Sequence, residues 1–486
     1  MNAALLIIGM TTAIALLLGL RAAHGRDMNL QQWSLGGRSF GVIFMFILLA
    51  GEIYTTFSFL GASGWSYSKG AASYYILSYQ TLAYIFSYFL LPKIWRYASQ
   101  HKLLSQPHFF ARKYDSNALG ILVAAVGVIA LVPYLLLQFK GLGIIVSIAS
   151  YGAIPASTAI CTGTLVVTAY VTVSGMHGVV WNAIVKDALI LAVVVFLGIY
   201  LPCHYYGGYG AMFSAINAAR PEFLVFPEHG FSKIWFQSTV LLTATGFFMW
   251  PHTFGCVLSA RHEDTFRRNA VYLPLYSLLV LFALFVGFSA LLQVPGLHGA
   301  DADLALLKLS VQTFPAWFVG IIGAAGVLTA LVPSSVILTS AATIIANDIY
   351  KVAARKNASD TDVQRVARRV VPVLSLVTLG FTLSGGSTIV ALLLMGYNFV
   401  TQLFPALFFS LMQRNPVTKQ GAFAGILAGV LTVAAVTLSK STVASLFPFL
   451  PATLMDLNVG MVALLINIGT TLLVSVATRR VQTQPD

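Results

Sequence analysis

Residues 44–65 read FMFILLAGEIYTTFSFLGASGW: an apolar run, then a glycine, an acid and hydroxyls in AGEIYTT, then an apolar run again. Inside a bilayer, backbone N–H and C=O groups have no water to bond. A helix interrupted this way is tolerated only where it lines a polar cavity within the protein. The stretch therefore reads as a discontinuous transmembrane helix. A second candidate lies at 239–260, TVLLTATGFFMWPHTFGCVLSA, where Pro251 cannot donate to the helix ladder and Gly246 to Pro251 frees backbone groups at membrane depth. If the spans over 40–202 and 234–412 form two five-helix halves, the two breaks occupy corresponding positions. Five is odd, so one half is inverted relative to the other. Paired broken helices in such halves point to a secondary transporter with its binding site near the midplane.

Composition supports the membrane reading. Of 486 residues, 58% are hydrophobic and 9% charged, against roughly 25% charged in soluble proteins. The chain is expected to be one all-α polytopic domain over 1–486, a multi-pass protein of the cell membrane with the lipid bilayer as its surroundings. Thirteen spans are expected near 3–21, 40–66, 72–95, 117–148, 153–174, 178–202, 234–258, 270–294, 314–350, 367–386, 389–412, 419–437 and 453–478. The first is an extra N-terminal helix, retained rather than cleaved, because no basic residue precedes it and Arg21 and Arg26 follow. The last two, over 419–478, follow the second half.

With the N-terminus outside, 21 of the 28 basic residues fall in cytoplasmic segments and five outside (Lys69, Arg220, Lys233, Lys308 and Lys440). That asymmetry sets the orientation. The net charge of +13 is spread over short loops rather than gathered in one patch, so no nucleic-acid partner is expected. Cys161, Cys203 and Cys256 are too widely spaced for a metal or disulfide pattern, and no metal site is expected.

Two basic residues, Lys140 and Lys186, remain inside spans, and Glu52 and Asp187 are the acids set clearly within apolar runs. Charge at that depth is costly and marks function. WNAIVKDALIL, 181–191, places Lys186 beside Asp187. Neighbours on a helix do not share a face, so Asp187 is expected to meet another helix or water rather than Lys186.

Several stretches together resemble the sodium/solute symporter family over nearly the full length. These are GASGW (61–65), PHTF (251–254), IIANDIYK (344–351) and PALFFSLMQRNPVTKQGAFAGILAG (405–429). EIYTTFSFLGASGWSYSKG, LLLQFKGLG, IVKDALI, RRNAVYLPLYS and TALVPSSVI make the monocarboxylate permease branch the nearest match. The resemblance implies a leucine-transporter-type core of inverted five-helix repeats. It also implies uptake of a small carboxylate such as pyruvate, lactate, acetate or propionate, with no cofactor beyond a coupling ion.

In sodium-using members the ion sits between carbonyls of the first broken helix and oxygens of the eighth core helix. Carried over by position, these places fall on Gly51 and Tyr54, and on Thr329, Val332 and Pro333. Valine and proline stand where hydroxyl-bearing residues belong, and a hard cation wants oxygen ligands. The family's WTD-type aspartate is replaced by Ala183, with Lys186 three residues on. Starting from 178, Lys186 lies about 12 Å into the helix at 1.5 Å per residue. An ammonium there would stand in for the metal ion and bond to the Gly51 and Tyr54 carbonyls, which supplies a route to proton symport.

For the substrate, Lys140 and Gln138 of LLLQFKGLG, Glu52, Thr55 and Thr56 at the first break, Trp250 at the second, and Tyr397 and Asn398 in LLLMGYNFV are the candidate pocket residues. Lys140 attracts the anion, snorkels outward or pairs with Glu52. Glu52 is a proton carrier, a lysine partner or a helix cap, and the sequence does not rank these. His252, after the proline, is a titratable candidate.

The competing readings are a sodium-coupled symporter of a small acid or other solute, and a membrane sensor. The end of the chain at ATRRVQTQPD, with no kinase-like extension, speaks against the sensor. No nucleophile, base and oxyanion arrangement suggests an enzyme. The sequence does not give an oligomeric state.

Overall fold

The computed structural model describes residues 3–23, 29–51, 54–449, 451 and 454–482. Among them there is no strand, only a single parallel bridge between Phe40 and Ala260. Phe40 N–H donates to Ser259 O at 3.3 Å and Arg261 N–H to Phe40 O at 3.0 Å. This bridge ties the start of the first broken helix to the end of the second.

Nine helices among the described residues are long and apolar enough to cross a membrane, and ten if the bent pair Lys233–Met249 and Pro251–Leu258 is one span. The other three expected spans are helical for different reasons than uniform apolarity. Ala3–Ala23 is a helix of 21 residues, and Val42–Gly51 is apolar but short. Tyr75–Gln100 is long, but Ser78, Gln80, Thr81 and Ser87 interrupt its apolar character.

Helical bonding runs from Ala156 to Tyr206, where two spans were expected. Asn182 Nδ2 nevertheless donates to Tyr170 Oη at 2.9 Å. Twelve residues of straight helix would hold them about 18 Å apart. The helix is therefore bent between them, and Ala156–Val173 and Trp181–Tyr206 are each long and apolar enough to span.

The centre is the helix Ala316–Thr343, buried along nearly all its length. Glycines three residues apart let its neighbours close in. A Cβ on Gly320 would lie 2.8 Å from Ala4 Cα, one on Gly323 2.6 Å from the Ile8 side chain, and one on Gly326 2.8 Å from the Phe59 ring. One contiguous apolar core reaches from Ile8 to Ile426. Lys419–Ser439 and Val459–Gln482 pack on each other at its edge through Gly421 and Gly425. Large apolar side chains such as Ile43, Phe89, Leu165 and Leu473 point outward, as lipid-facing surface requires.

Candidate functional site

The first broken helix ends as Val42–Gly51 and resumes in wide π-type turns over Phe57–Gly61, followed by Ala62–Lys69. Thr55 Oγ1 accepts from Phe57 N–H at 3.2 Å and so serves the resumed helix as a cap. The Tyr84 hydroxyl donates to Leu49 O at 3.0 Å. Glu52 lies outside the described residues.

Lys186, on Trp181–Tyr206, is fully buried and meets this break directly. Its Nζ donates to Gly51 O at 2.8 Å and Tyr54 O at 3.1 Å. Asp187 Oδ1 lies 3.0 Å from the same Nζ in an ion pair. This corrects the expectation that the two neighbours act apart: they leave the helix in different directions, but the four-methylene lysine arm brings its charge back over the aspartate. Both groups reach the same glycine, since a Cβ on Gly51 would lie 3.2 Å from Lys186 Nζ and 3.9 Å from Asp187 Oδ2. The ring of Tyr54 rests edge-on against Tyr276, 5.2 Å between centroids.

The partner side of a sodium site is poorly furnished. Thr329 Oγ1 donates to Gly326 O at 2.6 Å within its own turn. Ser334 and Ser335 bond back to Ala330 O and Leu331 O at 2.6 and 2.8 Å. Val332 and Pro333 are buried and bring no side-chain oxygen. Val332 shares a small apolar cavity with Tyr170 and Asn182, one turn before Lys186. The Lys186 Nζ occupies the Gly51 and Tyr54 carbonyls, and Val332 and Pro333 add no side-chain oxygen.

At the second break, Lys233–Met249 and Pro251–Leu258 meet at 50°. Trp250 between them is extended, with φ −62° and ψ 128°, and Pro251 opens the next helix, where its missing N–H costs nothing. The Met249 carbonyl at this break is taken by Gln106 Nε2 at 2.8 Å.

Trp250 is buried in an aromatic wall. Its ring centroid lies 5.2 Å from that of Tyr397 and 4.9 Å from that of Tyr134. Tyr79 adds to Tyr397 at 5.7 Å, and His252 faces Tyr134 at 5.1 Å. Gly396 makes room for the indole, because a Cβ there would sit 2.4 Å from Trp250 Cη2.

One face of Asn117–Ala149 joins the two breaks. Gly127 packs on Pro251, Tyr134 on Trp250, and Gly141 on Thr56, whose Cγ2 would lie 1.8 Å from a Cβ at Gly141. Gln138 falls one turn from Tyr134 and one from Gly141, so it faces the space between the breaks. It is fully buried.

The other candidates go elsewhere. Lys140 pairs with Asp303 at 2.7 Å and donates to Ser387 O at 2.8 Å, while Asp303 also accepts from Ile389 N–H at 2.9 Å. Asn398 turns to Gly460 of the last helix. Thus Gly51, Tyr54 and Lys186 form one cluster and Trp250, Tyr397 and Tyr134 a second, with Gln138 and the Thr56 contact on the face of Asn117–Ala149 that links the two breaks. Tyr79, Tyr134, Gln106 and Asp303 were missed. For Tyr134 a signal existed, its one-turn spacing from Gln138; for Asp303, in the short 3-10 helix Gly299–Leu304 between spans, there was none.

Near the second break, a small cavity lies beside Ser105, Gln106 and His252, and another of about 340 Å³ is lined by His108, Asp348 and Lys351. Among the described residues, no group of three or more His, Cys, Asp or Glu side chains is arranged for a metal ion.

Comparison with known proteins agrees with this architecture. The chain is 58% identical over 480 residues to an uncharacterized symporter, YhjB, of Bacillus subtilis, covering 99% of this chain and 98% of that one. It is 29% identical to a monocarboxylate transport permease protein of Rhizobium johnstonii, covering 83% and 82%. To the sodium/proline symporter of Escherichia coli it is 22% identical, covering 83% and 82%. A solved structure of a Na+-coupled sialic acid symporter in a substrate-bound outward-open state superposes with a TM-score of 0.80 at 14% identity, covering 98% of both chains. The model of the sodium:solute symporter family matches residues 33–429. A multi-pass cell-membrane protein with these breaks and these relatives belongs to the sodium:solute symporter family of transporters.

Proposed function

We propose that this symporter takes up a small monocarboxylate together with a proton, with the Lys186 ammonium in the place of a sodium ion. The observation that carries the reading is the buried Lys186 Nζ on the carbonyls of Gly51 and Tyr54. An ammonium offers three donors and no acceptor, whereas a neutral amine offers two donors and a lone pair. Two carbonyls and a carboxylate therefore suit the protonated form. If opening to the cytoplasm draws the first broken helix away from Trp181–Tyr206, the ammonium loses the two carbonyls and keeps only Asp187 of its own helix, so its hold on the proton weakens. Binding and release of the proton are then linked to the change of access.

The substrate class rests on the 29% identical monocarboxylate permease and on the aromatic wall of Trp250 and Tyr397, which suits a short apolar tail. We take 40–202 and 234–412 as the inverted halves and the N-terminus as external. Lys140, held by Asp303, is assigned to closing the outer side rather than to the anion.

The test is uptake of labelled pyruvate, lactate or propionate into proteoliposomes under an imposed pH or sodium gradient. Accumulation driven by the pH gradient without sodium is expected. Lys186→Gln should abolish accumulation while exchange at equal concentrations survives. A strict sodium requirement that ignores the pH gradient refutes the proposal and supports a sodium-coupled symporter.

A further inference from the structure

We infer that the substrate carries a hydrogen-bond donor on the carbon next to its carboxylate, as a 2-hydroxy acid does, and that Gln138 binds both groups through the two ends of its amide. The inference rests on the carboxylate reading above and narrows it.

Gln138 is 0% exposed, and neither Nε2 nor Oε1 has a hydrogen-bond partner. Buried amides are almost always satisfied, so an unsatisfied one needs an explanation, and at a transport site the missing partner is the substrate. The position supports this. Tyr134, one turn before Gln138, stacks near Trp250 at the second break, and Gly141, one turn after, is covered by Thr56 at the first. The Thr56 hydroxyl is likewise buried without a partner.

The neighbouring cations are committed. Lys186 serves the Gly51 and Tyr54 carbonyls, and Lys140 serves Asp303 and Ser387 O. An acid reaching Gln138 is met by neutral groups: the amide NH2, the Thr56 hydroxyl, and one obligate acceptor, Gln138 Oε1. A plain carboxylate or a 2-keto acid has only acceptors to offer. It uses the NH2 and leaves Oε1 unpaired with a dipole facing oxygen. A 2-hydroxy acid accepts from Nε2 through its carboxylate and donates to Oε1 through its hydroxyl, so both ends are met. Sites that bond a substrate hydroxyl discriminate strongly against the analogue lacking it, because the buried group is then left unpaired.

Lactate and propionate differ by that one oxygen. In proteoliposomes energised by whichever gradient drives uptake, KM for lactate is expected to lie at least about tenfold below that for propionate and for pyruvate. Gln138→Leu should raise the lactate KM by about tenfold more than the propionate KM, bringing the ratio of the two toward one, and monodisperse elution of the solubilised variant reports that it is folded. A merely structural glutamine would not move the ratio of the two KM values. Equal KM values in the wild type, or an unchanged ratio in Gln138→Leu, overturn the inference and leave monocarboxylate transport standing. Should the leucine variant not fold, the wild-type ratio decides alone. Uptake of none of these acids by the wild type overturns the carboxylate reading and this inference with it.

Discussion

Lys186 is where a single residue changes the chemistry of the site. Its charge is buried against two carbonyls and Asp187, and burying a charge is tolerated only when it is paired and hydrogen-bonded. Lys186→Met removes the cation and leaves the carboxylate and both carbonyls without it. The expected loss is about 3–5 kcal/mol, read as a lower unfolding temperature of the solubilised protein. Adding Asp187→Asn to that variant should restore part of the loss, because the stranded negative charge is then gone. Additive effects of the two substitutions would instead show that the pair does not interact in the folded protein.

At the scale of elements, the two broken helices are held by donors from other helices. Lys186 takes the carbonyls of the first break, and Gln106 takes Met249 O at the second. Their seating on Asn117–Ala149 depends on glycine. Gly141→Val would drive a Cβ to 1.8 Å from Thr56 Cγ2. Transport is expected to fall at least about tenfold in a protein that still inserts, since misplacing binding groups by about 1 Å costs roughly a hundredfold. Gly255→Ala, with nothing within 4 Å of the new atom, is the matched control, and comparable damage from both would refute the packing argument.

The Lys140–Asp303 pair joins a core helix to the segment before Ala305–Thr313 and, through Ile389 N–H, to Ile389–Val400. Ala302 O lies 2.8 Å from where a Cβ on Gly64 would be, so this segment also rests on Ala62–Lys69 of the first broken helix. If the pair is a latch, Lys140→Met and Asp303→Asn alter turnover alike. If Lys140 binds the anion instead, only Lys140→Met raises KM.

For the whole molecule, orientation is open to a direct measurement. Cys203 is exposed, Cys256 is buried and Cys161 is half-buried. With the N-terminus outside, Cys203 ends a span on the outer face. A membrane-impermeant maleimide added to intact cells should therefore label Cys203, and labelling confined to inside-out vesicles would invert the topology. Acid steps in uptake assays should leave the Arg96–Glu263 bridge intact. Arg96 bonds Glu263 at 2.8 and 2.9 Å and holds its carboxyl below the usual carboxylate range. A lowered pKa contributes stability above that range, and the contribution is lost only as pH falls through the lowered value. This bridge is thus no source of pH dependence near neutrality.

Sequence by itself determined the membrane class, the two breaks and the paired arrangement of broken helices. Each follows from a rule local to the chain: apolar length, positive-inside charge, and proline or glycine freeing backbone groups at membrane depth. It also singled out Lys186, because charge in an apolar run is costly wherever the run folds. Tertiary structure alone decided the partners. Asp187 meets Lys186 because a lysine arm can curl across its own helix. Lys140 closes on Asp303, 163 residues away, and Asn398 leaves the pocket for Gly460 although Tyr397 beside it stays. Contacts between helices depend on how the spans are arranged around Ala316–Thr343, and no spacing within one span carries that information. Gln138 shows the difference most plainly: its type and position were legible, but that its amide is buried with no partner appears only once the surrounding helices are in place.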